Sequence, residues 1–196
     1  MSGGPRLNVY DFDGTLYDGD CMVDLYKYCL KRRPYILVVF PSQFLAWYRF
    51  RKGKIDHRQM KQKYYRFFRF FDMEKMSKRF WDDNQNKIFG WYYDLHRDDD
   101  VIITASPYFH VKEICSRLGI ENVIASDVDP VKGTCLGPNC RDYEKVRRFR
   151  EAFGDVHIDS FYSDADHDAP LAALADKAYM VKNGEITEWV LDTEQV

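Results

Sequence analysis

Leu7-Asn8-Val9-Tyr10-Asp11-Phe12-Asp13-Gly14-Thr15 decides how this chain is read. Residues 7–11 are a short apolar run, and Asp13-Gly14-Thr15 follows at once, the pattern of a buried strand that ends in a tight loop. With Gly14 relieving the backbone, Asp11 and Asp13 point toward one solvent pocket at the strand's carboxyl end. Two carboxylates held that close repel each other. A divalent cation between them, or one carboxyl kept protonated, resolves the conflict and suggests a nucleophile beside a general acid/base.

Downstream, strand and helix signals alternate. Residues 101–104 predict a second strand, and Ser106-Pro107 starts a helix that carries Val111, Ile114, Cys115 and Leu118 before Gly119. Residues 122–125 predict a third strand, residues 143–153 a helix closed by Gly154, and residues 157–162 a strand running into Ser163-Asp164. A short helix over 170–175, a fifth strand over 177–181 and a turn at Asn183-Gly184 before residues 185–191 complete the pattern. The fold class is α/β, a doubly wound parallel sheet.

Thr104 ends its strand with a hydroxyl suited to a phosphate oxygen, and Lys145 lies on a helix where its charge can neutralise phosphate or carboxylate. In Ser163-Asp164-Ala165-Asp166-His167-Asp168, carboxylates outnumber what a surface loop needs, and oxygen ligands in that number suit magnesium (Mg2+). Any one of these residues is ordinary at a strand end. All four elements in order at the carboxyl edge read as a phosphoryl-transfer site.

Residues 18–90 break the alternation with helical spacing, as in Met60, Tyr64, Phe67 and Phe71. They form a helical cap inserted between the first two strands, the catalytic core being residues 1–17 and 91–196. Charge divides the same way: residues 27–79 hold sixteen Lys or Arg against three acids, a net +13, which leaves −15 for the remainder of a chain whose total is −2. Residues 34–48 carry no charge, but they fall short of the roughly 20 residues a membrane span needs, and Pro41, Ser42 and Gln43 interrupt them. A core-packed helix is the expectation there, with an interfacial helix as the alternative. Five cysteines form no paired framework, Cys135 and Cys140 lack the further ligands of a zinc site, and residues 1–6 show no apolar leader, so a reducing, cytoplasmic setting is expected.

The ordered motifs resemble the haloacid dehalogenase superfamily, whose first motif D-x-D-x-T stands here as Asp11-Phe12-Asp13-Gly14-Thr15. Thr104 resembles the second motif, Lys145 in Cys140-Arg141-Asp142-Tyr143-Glu144-Lys145 the third, and Asp164 with Asp168 the fourth. That resemblance implies a Rossmann-like core and a phosphatase in which Asp11 is the nucleophile, forming an aspartyl-phosphate, and Asp13 protonates the leaving alcohol and then activates water. It further implies Mg2+ on Asp11, the Asp13 carbonyl and Asp164, with Asp168 supporting the metal shell. Thr104, Ala105, Ser106 and Lys145 would hold the phosphoryl oxygens. The superfamily's dehalogenases need neither the second aspartate nor a metal, so Asp13 separates this chain from carbon–halogen chemistry.

The insertion and Thr104-Ala105-Ser106-Pro107 resemble the phosphoserine phosphatase branch. Asp20 stands where that branch carries a cap glutamate, which makes it a candidate substrate contact, whereas no single arginine matches the branch's second grip on the amino acid. The stretch Leu30-Lys31-Arg32-Arg33-Pro34 and the later Lys52-Gly53-Lys54 resemble bacterial phosphatidylglycerophosphatases. The expected substrate is therefore a small soluble phosphate or a lipid phosphate, the latter with peripheral contact at an anionic inner-membrane surface. A phosphotransferase, with an alcohol in place of water, is one alternative. A nucleic-acid binder using the basic aromatic cap is another, against which the complete motif set argues.

Overall fold

The structure is a computed structural model and describes residues 6–191. Strand β1 (Arg6–Tyr10) leads into an insertion of four helices, α1 (Cys21–Arg32), α2 (Phe40–Arg51), α3 (His57–Tyr64) and α4 (Met73–Asn84), with 3-10 turns at Pro34–Val39 and Tyr65–Phe70. Helix α5 (Gly90–Leu95) returns the chain to the sheet, after which β2 (Val101–Pro107), α6 (Tyr108–Arg117), β3 (Asn122–Ser126), α7 (Tyr143–Phe153) and β4 (His157–Ser163) alternate. A single turn of helix, α8 (Ala169–Ala172), precedes β5 (Ala175–Lys182) and β6 (Glu185–Glu188).

The strands form one sheet in the order β3-β2-β1-β4-β5-β6, parallel except for β6, which folds back on β5 through Asn183-Gly184, both at positive φ. Burial on both faces follows from the pleat. Val9, Val101, Ile103 and Phe161 pack with Phe149 of α7 and Leu171 of α8, while Tyr10, Ile102 and Tyr162 pack with Val111 and Ile114 of α6. The chain first winds outward from β1 through β2 and β3, then returns to lay β4 on β1's other side. The winding reverses between β1 and β4, where sheets of this kind bind ligands.

Several element boundaries differ from the sequence reading, most of them by a residue or two, with β2 running to Pro107 instead of Thr104. Pro107 is extended (φ −63°, ψ 133°) and still pairs with Ser126, so α6 begins at Tyr108 instead of at Ser106-Pro107. The short helix spans only Ala169–Ala172 and β5 starts at Ala175, because Ala175 and Lys177 already pair with Ile158 and Ser160 of β4. At the far edge β6 ends at Glu188, short of residue 191, although the Trp189 amide still donates to the Ala178 carbonyl.

Three of the four inserted helices, α1, α3 and α4, start where side chains cap them, while α2 follows the turn Pro34–Val39 without a side-chain cap. Asp20 accepts from the Met22 and Val23 amides, Asp56 and Gln59 form a reciprocal capping box on α3, and Asp72 caps α4. Chain leaves and rejoins the core along a short antiparallel ribbon, with Asp18 N donating to Lys87 O and Phe89 N to Leu16 O, each at 2.9 Å. Phe80 and Trp81 of α4 belong to the same buried cluster as Tyr10 and Ile102, and Trp81 Nε1 donates to the His110 carbonyl at 2.9 Å.

Helix α2 overturns the expectation of a core-packed helix over residues 34–48. It buries Gln43 and Ala46 and leaves Phe44, Leu45, Trp47 and Tyr48 in solvent. Gln43 Nε2 donates to the Tyr64 carbonyl at 2.8 Å and its Oε1 accepts from the Tyr26 hydroxyl, so a polar side chain holds the inner face and the large apolar ones point away. No helix among the described residues is long and apolar enough to cross a membrane.

His110, fully buried in α6 with Nδ1 2.7 Å from Ser77 Oγ, has its imidazole pushed down to about 3 by burial. The folded state therefore binds no proton there while the unfolded chain takes one below about 6.5, so this stability is present above pH 6.5 and lost as pH falls toward 3. Between pH 7 and pH 5 the group should cost about 2 kcal/mol, measured by urea unfolding. His110→Asn, which still pairs with Ser77 but takes no proton, should flatten that slope; an unchanged slope would refute the assignment.

Candidate active site

Parallel pairing of Tyr10 with Tyr162 brings the ends of β1 and β4 side by side, and the Asp11 amide donates to the Tyr162 carbonyl at 2.9 Å. Asp11 and Asp164 thus leave neighbouring strands at the same level. Gly14, at φ +73°, turns the chain beneath Asp164 so closely that a Cβ there would collide with the Asp164 carboxylate. Only glycine permits both the backbone angle and the approach.

Lys145 enters from the first turn of α7 and is buried to 1% exposure. Its Nζ donates to Asp11 Oδ1 at 2.7 Å and to Asp168 Oδ2 at 2.6 Å, and Ser163 Oγ donates to the same Asp168 oxygen at 2.7 Å. Burial opposes the ammonium charge, but Asp11 and Asp168 more than offset it and hold its pKa above the usual lysine value. The residue before this turn of α7, Asp142, sits at φ 53°, an angle that L residues rarely adopt, and it aims the turn at the cavity.

Asp13 is held from two sides: Oδ1 accepts the Cys21 amide at 2.7 Å and Oδ2 accepts the Ser106 hydroxyl. Burial, then the Asp20 charge, raises its carboxyl to about 6. Burial raises Asp11 to about 7 against the pull of Lys145, with Asp168 and Asp13 adding to the rise. Asp164 is solvent-open on one side, yet desolvation, Asp11 and Asp168 together lift it to about 6. Carboxylates that raise one another in this way share too much negative charge for Lys145 alone to balance.

The structure brings Asp11, Asp13, Asp20, Thr104, Ala105, Ser106, Lys145 and Asp164 onto one cavity of about 440 Å³. Thr104 Oγ1 is buried and accepts the Ser106 amide at 3.1 Å. Ser106 spends its hydroxyl on Asp13, and Asp168 stands behind Lys145 with Oδ1 lacking a hydrogen-bond partner among the described residues, His167 Nε2 lying 3.7 Å from it. Asp20 Oδ1 is occupied as the α1 cap. Among the described residues no three His, Cys, Asp or Glu side chains converge on one point.

Sequence reasoning missed Lys61. Its Nζ, buried and with its pKa lowered by that burial, donates to the Ala105 carbonyl at 2.7 Å and to Asn139 Oδ1 at 2.8 Å. His57, Lys61 and Tyr64, spaced by four and three on α3, all line the cavity, as do Arg141 and His167. The helical spacing was legible, since Tyr64 stands in the apolar stripe, but Lys61 was counted only among the cap's many bases.

The winding reversal of this doubly wound sheet, lined by carboxylates and one buried lysine, places the candidate site at the carboxyl ends of the strands, where such folds bind ligands. The chain belongs to the haloacid dehalogenase-like hydrolase family, whose family model matches residues 9–173. It is 39% identical over 92 residues to Protein CicA of Caulobacter vibrioides, an alignment that spans 43% of this chain and 41% of that protein. In fold it is similar to a protein with unknown function from Bordetella pertussis Tohama I (TM-score 0.71, 19% identity, 89% of each chain). A phosphoserine phosphohydrolase-like protein from Francisella tularensis SCHU S4 shares the fold at TM-score 0.60 and 17% identity, over 89% of this chain and 86% of that one.

Lys145→Met should lower stability by about 3–5 kcal/mol in urea titration, because it strands two buried carboxylates. A loss below about 1 kcal/mol would mean that the ammonium is not their shared partner.

Proposed function

We propose that this hydrolase is a magnesium-dependent phosphatase that cleaves a phosphate monoester through an aspartyl-phosphate on Asp11. The observation that carries the reading is the placement of Lys145 Nζ against Asp11 Oδ1, with Asp13 pinned across the loop by Ser106 and Cys21. Lys145 leaves the Asp11 carboxylate oriented, and its charge meets the phosphoryl oxygens as they approach. The excess of carboxylates, all oxygen donors, fits Mg2+, with Asp11, the Asp13 carbonyl and Asp164 as the residues to hold it. Bound there, magnesium would neutralise negative charge on the phosphoryl group.

Asp11 attacks phosphorus as the ester P–O bond breaks, and Asp13 gives its proton to the departing alcohol oxygen. Asp13 then takes a proton from the water that attacks the aspartyl-phosphate, which frees inorganic phosphate and restores Asp11. Thr104, which lines the same cavity, would donate its hydroxyl to a phosphoryl oxygen, and Asp168 with Ser163 keeps Lys145 in place. Residues 18–90 act as a cap: Met22, Trp47, Met60 and Tyr64 face the same cavity as Asp11 and would meet the organic part of the substrate. The Francisella protein's description as phosphoserine phosphohydrolase-like supports the reaction class. Buried free thiols at all five cysteines support action in the reducing cytoplasm.

Asp11→Asn should cut magnesium-dependent hydrolysis of an aryl phosphate by about a thousandfold or more while the circular dichroism spectrum stays unchanged. Beryllium fluoride, a mimic of the aspartyl-phosphate, should bind wild type only with magnesium present and should not bind this variant. Turnover retained in Asp11→Asn would exclude the mechanism.

A further inference from the structure

Helix α2 is amphipathic with its faces reversed. Leu37, Val38, Phe40, Phe44, Leu45 and Tyr48, from the turn Pro34–Val39 and from α2, are 47–70% exposed. They lie within fifteen consecutive residues that carry no charge. Phe40, Phe44 and Trp47, at helical positions i, i+4 and i+7, line up in solvent, Phe40 stacked on Phe44 and Trp47 tilted against it, with centroids 6.2 and 5.8 Å apart. A contiguous apolar ridge of this kind is not left bare on a soluble monomer without a partner.

The surroundings of the ridge say what covers it. Lys31, Arg32 and Arg33 precede it, and Arg49, Arg51, Lys52 and Lys54 follow it, all exposed. Between α2 and α3 a groove of about 510 Å³ opens, bordered by Arg49, Lys63 and Arg66 with no carboxylate along its wall. A second copy of the chain would set this net +13 segment against another of the same sign. An anionic lipid surface instead offers acyl chains to the ridge and phosphate headgroups to its rim.

We infer that the face formed by Pro34–Val39 and α2 docks this protein on an anionic membrane surface, with its basic groove receiving a phosphate-bearing headgroup. Trp47 belongs both to the ridge and to the wall of the Asp11 cavity, so docking brings the cavity mouth to the bilayer interface. The inference adds to the phosphatase reading an address for its substrate, but the docking itself does not depend on catalysis.

The test is cosedimentation of the full chain with vesicles of phosphatidylcholine alone or mixed with phosphatidylglycerol, at low salt and at about 0.5 M. Wild type should pellet with the anionic vesicles at low salt, little at high salt, and little with phosphatidylcholine alone. Two triple variants, Leu37→Ser/Phe40→Ser/Phe44→Ser and Arg51→Glu/Lys52→Glu/Lys54→Glu, should each lower the vesicle-bound to free ratio about tenfold or more. Both should keep wild-type hydrolysis of a soluble aryl phosphate, since none of the six residues lines the Asp11 cavity. Three results would overturn the docking: no pelleting of wild type at low salt, equal pelleting of the variants, or a dimer in light scattering that the serine variant dissociates while vesicles capture nothing. Loss of all phosphatase activity in wild type, with vesicle binding intact, would instead strike the functional reading and leave the docking standing.

Discussion

A charged lysine has been taken out of water at the junction of three chain segments. Lys145 donates to Asp11, 134 residues earlier, and to Asp168, 23 residues later, and an ammonium buried to this degree is tolerable only if both carboxylates arrive within hydrogen-bond reach. That requirement fixes the register of β1 against β4, the pitch at which α7 meets the sheet and the tight turn that carries Asp168. The positive φ of Asp142, just before the turn of α7 that carries Lys145, is a local concession to it.

The parts of the fold that were legible are those in which one segment announces itself. An apolar run ending in Asp-x-Asp-Gly, a helix closed by Gly154 and a turn at Asn183-Gly184 are local signals, and they marked β1, α7 and the β5–β6 hairpin close to their observed limits. The four motifs were legible because each lies toward the carboxyl end of a strand or in a helix's first turn, where parallel topology gathers them, although β2 runs three residues beyond Thr104. Boundaries that depend on a neighbour were not: Pro107 remains in β2 because Ser126 pairs with it, and Ala175 joins β5 because Ile158 does. Side-chain assignments across long separations were equally hidden. That Ser106 serves Asp13, 93 residues away, follows from β2 lying beside β1, and that Lys61 reaches Ala105, 44 residues away, follows from how the insertion sits over β2.

Helix α2 shows the limit of hydropathy as a guide. Its residues were read as core because apolar side chains normally turn inward, and that tendency fails where the inner face is already satisfied. Gln43 bridges α1 and α3 through Tyr26 and Tyr64, Ala46 lets the backbones approach, and Phe67 and Phe68 already fill the insertion's interior. With the inside complete, the aromatic residues have no place but the surface, beside the bases that give this segment its sign. The division of charge along the chain is thus also a division in space, with acidic groups at the strand ends and the basic apolar face on α2.

The paired ribbon at Leu16–Asp18 and Lys87–Phe89 sets the insertion's two ends beside each other, so by connectivity alone the whole segment could be exchanged for a tight turn. Packing forbids it, since Phe80 and Trp81 belong to the buried cluster on this side of the sheet, with Trp81 edge-on to Phe12 and Tyr17, and their loss would open that cluster to water. The insertion therefore has two grades of evolutionary freedom. Helix α4 is bound to the core and must drift with it, whereas the outward faces of α2 and α3 touch no part of the sheet and can be resurfaced without disturbing Lys145 and its carboxylates. Lineages that share this core can diverge in where the protein works while the chemistry beneath stays the same.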